Sequence, residues 1–486
     1  MAVFKTENLT FSYPKSDKKA VDNVNIEIKK GELVLLMGES GSGKSTLLRL
    51  LKKELSPFGK MTGSIASDCK SIAFVQQNPD TSFVSETVRG ELVFALENRN
   101  MTDAQIAVRL GEISSFFNIN DILDCRISCL SGGEKAAVSI ASAMIDNADV
   151  LILDEPFAQL DPKAVLSVSS MLKRINTELG VTVIMASHTS AEVIDFCDRL
   201  IVLKSGRCIC NTSVREALKD DSLLDFFPEF TGLFEERPLT VKEAIPLSAK
   251  FGEKPLTPET ETEPAVVLKS ITFAYGKNEP DILNRLSYTA YKGKINSVIG
   301  SNGSGKTTLL KVIGGIKKAY SGKVKTTGKV CYMPQNVRCL FTKDTVGEEI
   351  SAATAEKLGI ADCMNHHPFD LSGGQAQKLA FGIMLEQNAD IFLLDEPSKA
   401  FDAQSKKSLE KLLKSLCAQG KTVIMVSHDI DFVGQVSDYV SFLSDGIISS
   451  AGDRRQVLSS LKFYTTQIRR ISAGNLEFAV SAEDLV

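Results

Sequence analysis

Gly38-Glu39-Ser40-Gly41-Ser42-Gly43-Lys44-Ser45 follows the apolar run Leu33 to Met37 and precedes Leu47-Leu48-Arg49-Leu50-Leu51. That order reads as strand, glycine-rich turn, helix. Gly300-Ser301-Asn302-Gly303-Ser304-Gly305-Lys306-Thr307 repeats it after Ile295 to Ile299. Both stretches fit G-x-x-x-x-G-K-[ST], a loop whose backbone N–H groups wrap nucleotide phosphates. Glycines let the backbone turn tightly around the anion, where a Cβ would clash or forbid the dihedrals. The helix opening at each lysine points unpaired N–H groups and a positive dipole end at the same place. The first loop therefore offers Gly38, Ser40, Gly41, Ser42, Gly43, Lys44, Ser45 and Thr46. The second offers Gly300, Asn302, Gly303, Ser304, Gly305, Lys306, Thr307 and Thr308. Lys44 and Lys306 bring charge to the outer phosphates, and the hydroxyls of Ser45 and Thr307 serve Mg²⁺. Two bound nucleotides are expected, as ATP with Mg²⁺.

At 486 residues the chain is too long for one core, and two to four domains are expected. An apolar share of 43% with 24% charged residues describes an ordered globular protein. The net charge of -4 gives no long-range attraction for nucleic acid, which is excluded as a partner. No run approaches 18 consecutive apolar residues, so no membrane span is expected. Met1 to Glu7 lacks the basic-then-apolar pattern of a secretory signal. Ten cysteines lie scattered without a C-x-x-C pair, and they read as reduced thiols in a cytosol.

Working outward from the loops, the repeat extends in both directions. Leu9 to Tyr13 is echoed by Ile271 to Tyr275, and Tyr13 and Tyr275 are 262 positions apart, as Lys44 and Lys306 are. An aromatic held at constant distance from a phosphate loop is placed to stack on an adenine face. Val24 to Ile28 alternates and reads as a half-buried strand. Ile72 to Val75 runs to Gln77, and Val330 to Met333 runs to Gln335. A glutamine at a strand end can reach Mg²⁺ or water near the γ-phosphate, though alone it is also a plain turn residue. Gln77 to Ser131 takes 54 residues and Gln335 to Ser372 only 37. The difference, about one helix and its loop, predicts one trimmed helical lobe.

Ser131-Gly132-Gly133-Glu134 and Ser372-Gly373-Gly374-Gln375 each open a helix. Serine caps the first turn, and two glycines let an anion approach the bare helix end. Val150 to Asp154-Glu155-Pro156 and Ile391 to Asp395-Glu396-Pro397 are apolar runs ending in paired acids. Paired carboxylates at the end of a buried strand are costly unless a cation or water takes them up. Asp154 and Asp395 are placed to organise Mg²⁺, and Glu155 and Glu396 to polarise attacking water. Two further buried runs end in His188 and His428, half of the chain's four histidines, and these are placed to contact the γ-phosphate. His366 and His367 precede a proline in a loop and carry no metal expectation.

Residues 1–228 read as the first domain and 265–458 as the second. Residues 229–264, with Pro238, Pro246, Pro255, Pro258 and Pro264 and an acidic run at Glu259, Glu261 and Glu263, read as a linker. Nothing is assigned to the tail, 459–486.

Together these features resemble two ATP-binding-cassette nucleotide-binding domains fused in tandem. The resemblance implies an α/β P-loop NTPase fold with a helical lobe in each domain. Gln77-Asn78-Pro79-Asp80 followed by Thr87-Val88-Arg89-Gly90-Glu91-Leu92-Val93-Phe94 further resembles the ATPase subunits of energy-coupling-factor importers. It implies a protein at the cytoplasmic face of a prokaryotic membrane, serving a transmembrane coupling subunit and a substrate-binding membrane subunit. Such an ATPase makes no direct contact with the transported vitamin or metal ion. In this family Ser372 to Gln375 would close on the nucleotide held at Lys44, and Ser131 to Glu134 on that held at Lys306. Glu134 stands where glutamine is usual, which implies weaker closure of the second site. Phe83, Val84, Val88, Leu92 and Phe94, with Val346 and Ile350, are expected to line grooves for the membrane partner. A sugar-type importer ATPase and a soluble tandem-cassette translation factor are the alternatives.

Overall fold

Uninterrupted apolar runs have no face to offer water, so they belong in a sheet covered on both sides. Leu33–Gly38, Val150–Asp154 and Thr182–Ala186 behave this way and are buried at every position. In this computed structural model, which describes residues 2–14, 18–98, 101–158, 160–188, 190–256, 263–277, 279–399 and 401–486, they lie side by side. The six-stranded sheet runs Arg207–Ser213, Arg199–Lys204, Leu33–Gly38, Thr182–Ala186, Val150–Asp154, Ile72–Val75. Every pairing is parallel except at the Arg207–Ser213 edge. The amphipathic segments Ala2–Ser12, Lys19–Val24 and Glu27–Lys29, with the exposed edge strand Lys60–Ser67, form a separate antiparallel sheet. Val24 to Ile28 is thus not one strand: the chain breaks between Val24 and Glu27, after Asn23 at φ 53°. Phe4, Leu9 and Phe11 of that sheet pack with Leu47 and Leu48 of helix Lys44–Leu51. The helix behind the phosphate loop is therefore clamped on its apolar side.

The chain divides into two units, Met1–Pro228 and Glu229–Val486. The second repeats the plan, with Val330–Met333, Ile391–Asp395, Thr422–Val426, Ile295–Ile299, Tyr439–Ser444 and Ile447–Asp453 in one sheet. Leu283–Tyr291, Pro264–Phe273 and Ser321–Thr326 form its antiparallel partner. The helical lobes differ as the spacing predicts. Val88–Glu97 and Asp103–Phe116, ten and fourteen residues, correspond to Val346–Glu349 and Ala352–Leu358, four and seven.

Residues 229–264 depart from the linker expectation. Phe230, Phe234 and Ala244 are buried in a small core with Ile468 and Ile471 from the tail. Ser248 Oγ donates to the Ile471 carbonyl at 2.8 Å, and Arg455 donates to the carbonyls of Lys254 and Pro255. Gly252 and Val486 exchange a pair of main-chain hydrogen bonds, each 3.0 Å. The physical reason is the apolar content between the prolines, which water cannot hold while a matching tail surface is present. The second unit therefore begins at Glu229 and includes the tail. Pro258, Glu259 and Glu261 lie outside the described residues. Among the described residues no helix is long and apolar enough to cross a membrane.

Candidate nucleotide sites

Each phosphate loop leaves the C-terminal end of its central strand, and its last glycine must lie flat against a neighbour. A Cβ on Gly43, at φ 100°, would fall 2.1 Å from the Ala20 carbonyl oxygen. Lys44 Nζ donates to the Gly38 and Glu39 carbonyls at 2.8 and 3.2 Å, and Lys306 Nζ to Gly300 and Ser301 at 2.9 and 2.7 Å. Both ammonium groups are thus drawn across the mouth of their own loop. Ser42 Oγ and Ser304 Oγ, inside the loops, are buried and find no hydrogen-bond partner among the described residues. An unsatisfied buried hydroxyl beside a lysine and a row of N–H groups suits phosphate oxygens.

Each strand-end aspartate is joined to the hydroxyl that follows the loop lysine. Ser45 Oγ donates to Asp154 Oδ1 at 2.9 Å, and Thr307 Oγ1 to Asp395 Oδ1 at 3.1 Å. Burial raises both aspartates, opposed by those hydroxyls, by Arg49 and Lys44 at Asp154, and by Tyr332, Lys311 and Lys306 at Asp395. A divalent cation placed here would remove that penalty. The donor set fits Mg²⁺.

Glu155 and Glu396 follow in the left-handed region, at φ 53° and 57°. That conformation costs a side-chain-bearing residue about 1–3 kcal/mol and persists only where the surroundings enforce it. Here Glu155 N donates to Ala186 O at 3.0 Å and Glu396 N to Val426 O at 2.9 Å. The bend turns each carboxylate toward the strand-end histidine. His188 N donates to Glu155 Oε2 at 3.2 Å, and its Nε2 lies 3.1 Å from Oε1. His428 repeats this on Glu396 at 3.1 and 3.4 Å. Burial raises Glu155 to about 7, with Asp154 adding and Lys44 and the His188 N–H opposing. Glu396 is raised for the same first reason.

Tyr13 and Tyr275 each reach the first turn of the loop helix, Tyr13 Oη lying 3.0 Å from Thr46 Oγ1 and Tyr275 Oη 3.1 Å from Thr308 Oγ1. Both rings remain exposed, at 39% and 49%, so a face is open to a base. Gln77 and Gln335 are also exposed, and among the described residues neither hydrogen-bonds a metal aspartate. Gln77 does line one cavity of about 120 Å³ with Glu155, Pro156, Gly132 and Lys135. Ser131 and Ser372 cap their helices in reciprocal boxes with Glu134 and Gln375.

Three contributors escaped the sequence reading. Tyr332 Oη donates to Asp395 Oδ2 at 3.2 Å. Lys399 is half-buried and interacts electrostatically with Glu396 and Asp395. Glu91 accepts from the main-chain N–H groups of Val84 and Ser85, at 2.9 Å each. The repeat itself held the signal for the first two, because Phe74 and Ala158 stand at the matching places of the first unit.

The family model described as ABC transporter matches residues 21–158 and again 283–399. The chain belongs to the ABC transporter family. It is an ABC ATPase, and the family's domains use ATP with Mg²⁺. A Bacillus cereus protein provisionally named an ABC transporter ATP-binding protein is 34% identical over 532 residues, covering 98% of this chain and 96% of that one. A Bacillus subtilis protein provisionally named an HMP/thiamine import ATP-binding protein is 28% identical, covering 93% and 92%. Among solved structures, an archaeal ribosome recycling factor in complex with a ribosomal stalk protein matches at TM-score 0.65 and 23% identity, covering 93% and 91%. That likeness bears on the tandem-cassette fold alone.

Proposed function

We propose that this chain is the ATP-hydrolysing subunit of an energy-coupling-factor-type importer, peripheral at the cytoplasmic face of a prokaryotic membrane. It drives uptake of a vitamin or transition metal ion through a transmembrane coupling subunit and a substrate-binding membrane subunit. The observation that carries the reading is the lobe after Gln77. Buried Glu91 fixes the Val84–Ser85 backbone, and on that fixed backbone Val84 is 68% exposed, with Phe94 43% exposed. Holding an apolar side chain in water with a buried carboxylate makes physical sense where a partner covers it. The bacterial relative named for HMP/thiamine import supports the vitamin class.

The expected groove needs correction. Val88, Leu92, Val346 and Ile350 are core residues, exposed by 0%, 0%, 0% and 2%. In the second lobe Glu349 accepts from Thr342 and Lys343 as Glu91 does from Val84 and Ser85. Exposed Thr342 therefore stands where Val84 does, and the two lobes suit different surfaces.

Bound Mg²⁺·ATP supplies the phosphoanhydride to be broken. Ser45 with Asp154, and Thr307 with Asp395, would hold the ion. Lys44 and Lys306 neutralise the outer phosphates, and Tyr13 and Tyr275 stack on the base. Glu155 and Glu396 take a proton from the attacking water, while His188 and His428 hold those carboxylates in line.

The test is affinity purification from detergent-solubilised native membranes, with crosslinking from a cysteine at Val84 or Thr342. One coupling subunit, crosslinked through different segments at the two positions, is expected. Recovery with ribosomes and no membrane protein would overturn the importer reading in favour of a soluble factor. Two identical membrane subunits crosslinked equally at both positions would leave an importer and remove the coupling-factor assignment.

A further inference from the structure

Strand Val330–Met333 runs parallel to Ile391–Asp395 with Tyr332 opposite Leu393. Strand Ile72–Val75 runs along Val150–Asp154 in the same register, with Phe74 opposite Ile152. The two aromatic rings thus occupy equivalent places, and only one carries a hydroxyl. In the second unit both oxygens of the metal aspartate accept hydrogen bonds, Oδ1 from Thr307 and Oδ2 from Tyr332. In the first, among the described residues, Asp154 accepts from Ser45 alone. A carboxylate bonded through one oxygen still rotates about its Cβ–Cγ bond. Bonded through both, it is fixed in plane and keeps about two further lone-pair directions for a cation. Outer partners of this kind orient metal ligands.

We infer that Tyr332 is a positioning residue of the second site only, pre-setting the Asp395 carboxylate for the divalent ion, so the two sites differ in metal affinity before hydrolysis begins. The inference rests on the reading that Asp395 holds Mg²⁺. Tyr332 lies beside that aspartate on a neighbouring strand and is half-buried, so its hydroxyl is directed by the sheet and not by solvent. Tyr275, whose own hydroxyl is engaged by Thr308, shares the neighbourhood without reaching Asp395.

The experiment uses the full chain carrying Lys44→Ala, which disables the first site for nucleotide, and Glu396→Gln, which stops turnover at the second. Mn²⁺ is titrated with ATP present and followed by loss of the free-ion electron paramagnetic resonance signal. Adding Tyr332→Phe, which keeps the ring and removes one hydroxyl, should weaken Mn²⁺ about tenfold. ATP binding measured in EDTA should not change. An unchanged or tighter Mn²⁺ affinity overturns the inference. So does an equal loss of metal-free ATP binding, which would make the hydroxyl a packing contact. Asp395→Asn in the same background separates the two claims: if it retains Mn²⁺, the metal reading of Asp395 fails first.

Discussion

The two units correspond at the loop lysine, the loop hydroxyl, the paired acids and the strand-end histidine, and diverge one contact further out. Lysine on loop carbonyls, hydroxyl on aspartate, and histidine on glutamate recur within a few tenths of an ångström. Around them, Phe74 corresponds to Tyr332 in the repeat, Ala158 to Lys399, and Glu134 to Gln375. The segment after the histidine differs as well. In the second unit Gln467 donates from N and Nε2 to Asp431 at 2.7 and 2.9 Å, three residues beyond His428. The tail core therefore anchors the helix Ile430–Val436 that follows the histidine. The first unit has a short 3-10 turn, Ile194–Phe196, in that region. The groups proposed to meet phosphate would be fixed by the chemistry of the anion and cation. Their supports only have to hold them, and so each copy has found its own way to do so.

The most severe break in the comparison comes from removing what the sites share. Glu155→Gln or Glu396→Gln should leave ATP binding intact and slow hydrolysis at the altered site by about 10²- to 10⁴-fold. Phosphate release in the pre-steady state, measured for each single variant and for the double, checks this. A double variant that turns over ATP near the native rate would remove both glutamates from the role of base. If the supports matter, the two single variants should also differ from each other.

A smaller effect comes from the tail, present in one unit only. Glu229 sits at the start of the second unit, where burial raises its carboxyl to about 7, with Asp431 and Asp429 adding and Gln435 and the Ala482 N–H opposing. Its ordinary value is 4.5. Below 4.5 the group is neutral whether the unit is folded or not. Between 4.5 and 7 the unfolded chain loses the proton while the folded unit keeps it, so stability falls as pH rises. Above 7 both states are ionised and the loss levels off, on the order of 3 kcal/mol. Glu229→Gln should therefore raise the unfolding midpoint of the second unit at pH 8 and change it little at pH 4.5. A thermal melt resolving the two units, with no pH-dependent gain or with the gain in the first unit, would reject this account.

How much of this was legible in the sequence follows from the range of each interaction. The phosphate loops, acidic strand ends and strand-end histidines are contiguous, so their residues and order announced the sheet and the site together. Tyr332 was not legible, because a tyrosine three residues before a glutamine reads as core until the neighbouring strand brings Asp395 to its hydroxyl. The misread linker has the same origin. Phe230, Phe234 and Ala244 find their partners at Ile468 and Ile471, more than two hundred residues away, and prolines nearby outweighed them in a local reading. Val346 and Ile350 looked like groove residues because spacing marks an apolar position without saying which side of the lobe is covered.

The finest test of the comparison is the fourth residue of each signature. Glu134 Oε2 accepts from both the main-chain N and the hydroxyl of Ser131, at 2.8 and 2.7 Å. Gln375 Oε1 accepts from Ser372 N at 3.0 Å but not from its hydroxyl, while both serine hydroxyls accept from the N–H of the fourth residue at 3.4 Å. The Ser131 proton is thus committed to a carboxylate, whereas the Ser372 hydroxyl is free of its side-chain neighbour's pull. Lys135 does not neutralise Glu134, because it pairs with Asp80 at 2.7 Å. If each signature serine donates to the γ-phosphate of the nucleotide it closes on, Ser131 must first leave Glu134 and then work beside a repelling charge. Glu134→Gln removes both obstacles. At this half-buried position the electrostatic part is worth about 1 kcal/mol, so ATP should bind roughly fivefold tighter at the Lys306 site. The Lys44 site should hardly respond. Titration calorimetry in Lys44→Ala and Lys306→Ala backgrounds reads the two sites separately. Equal affinities at both, unmoved by Glu134→Gln, would reject the inequality, whereas unequal affinities unmoved by Glu134→Gln would place its source elsewhere, at Tyr332 or Lys399.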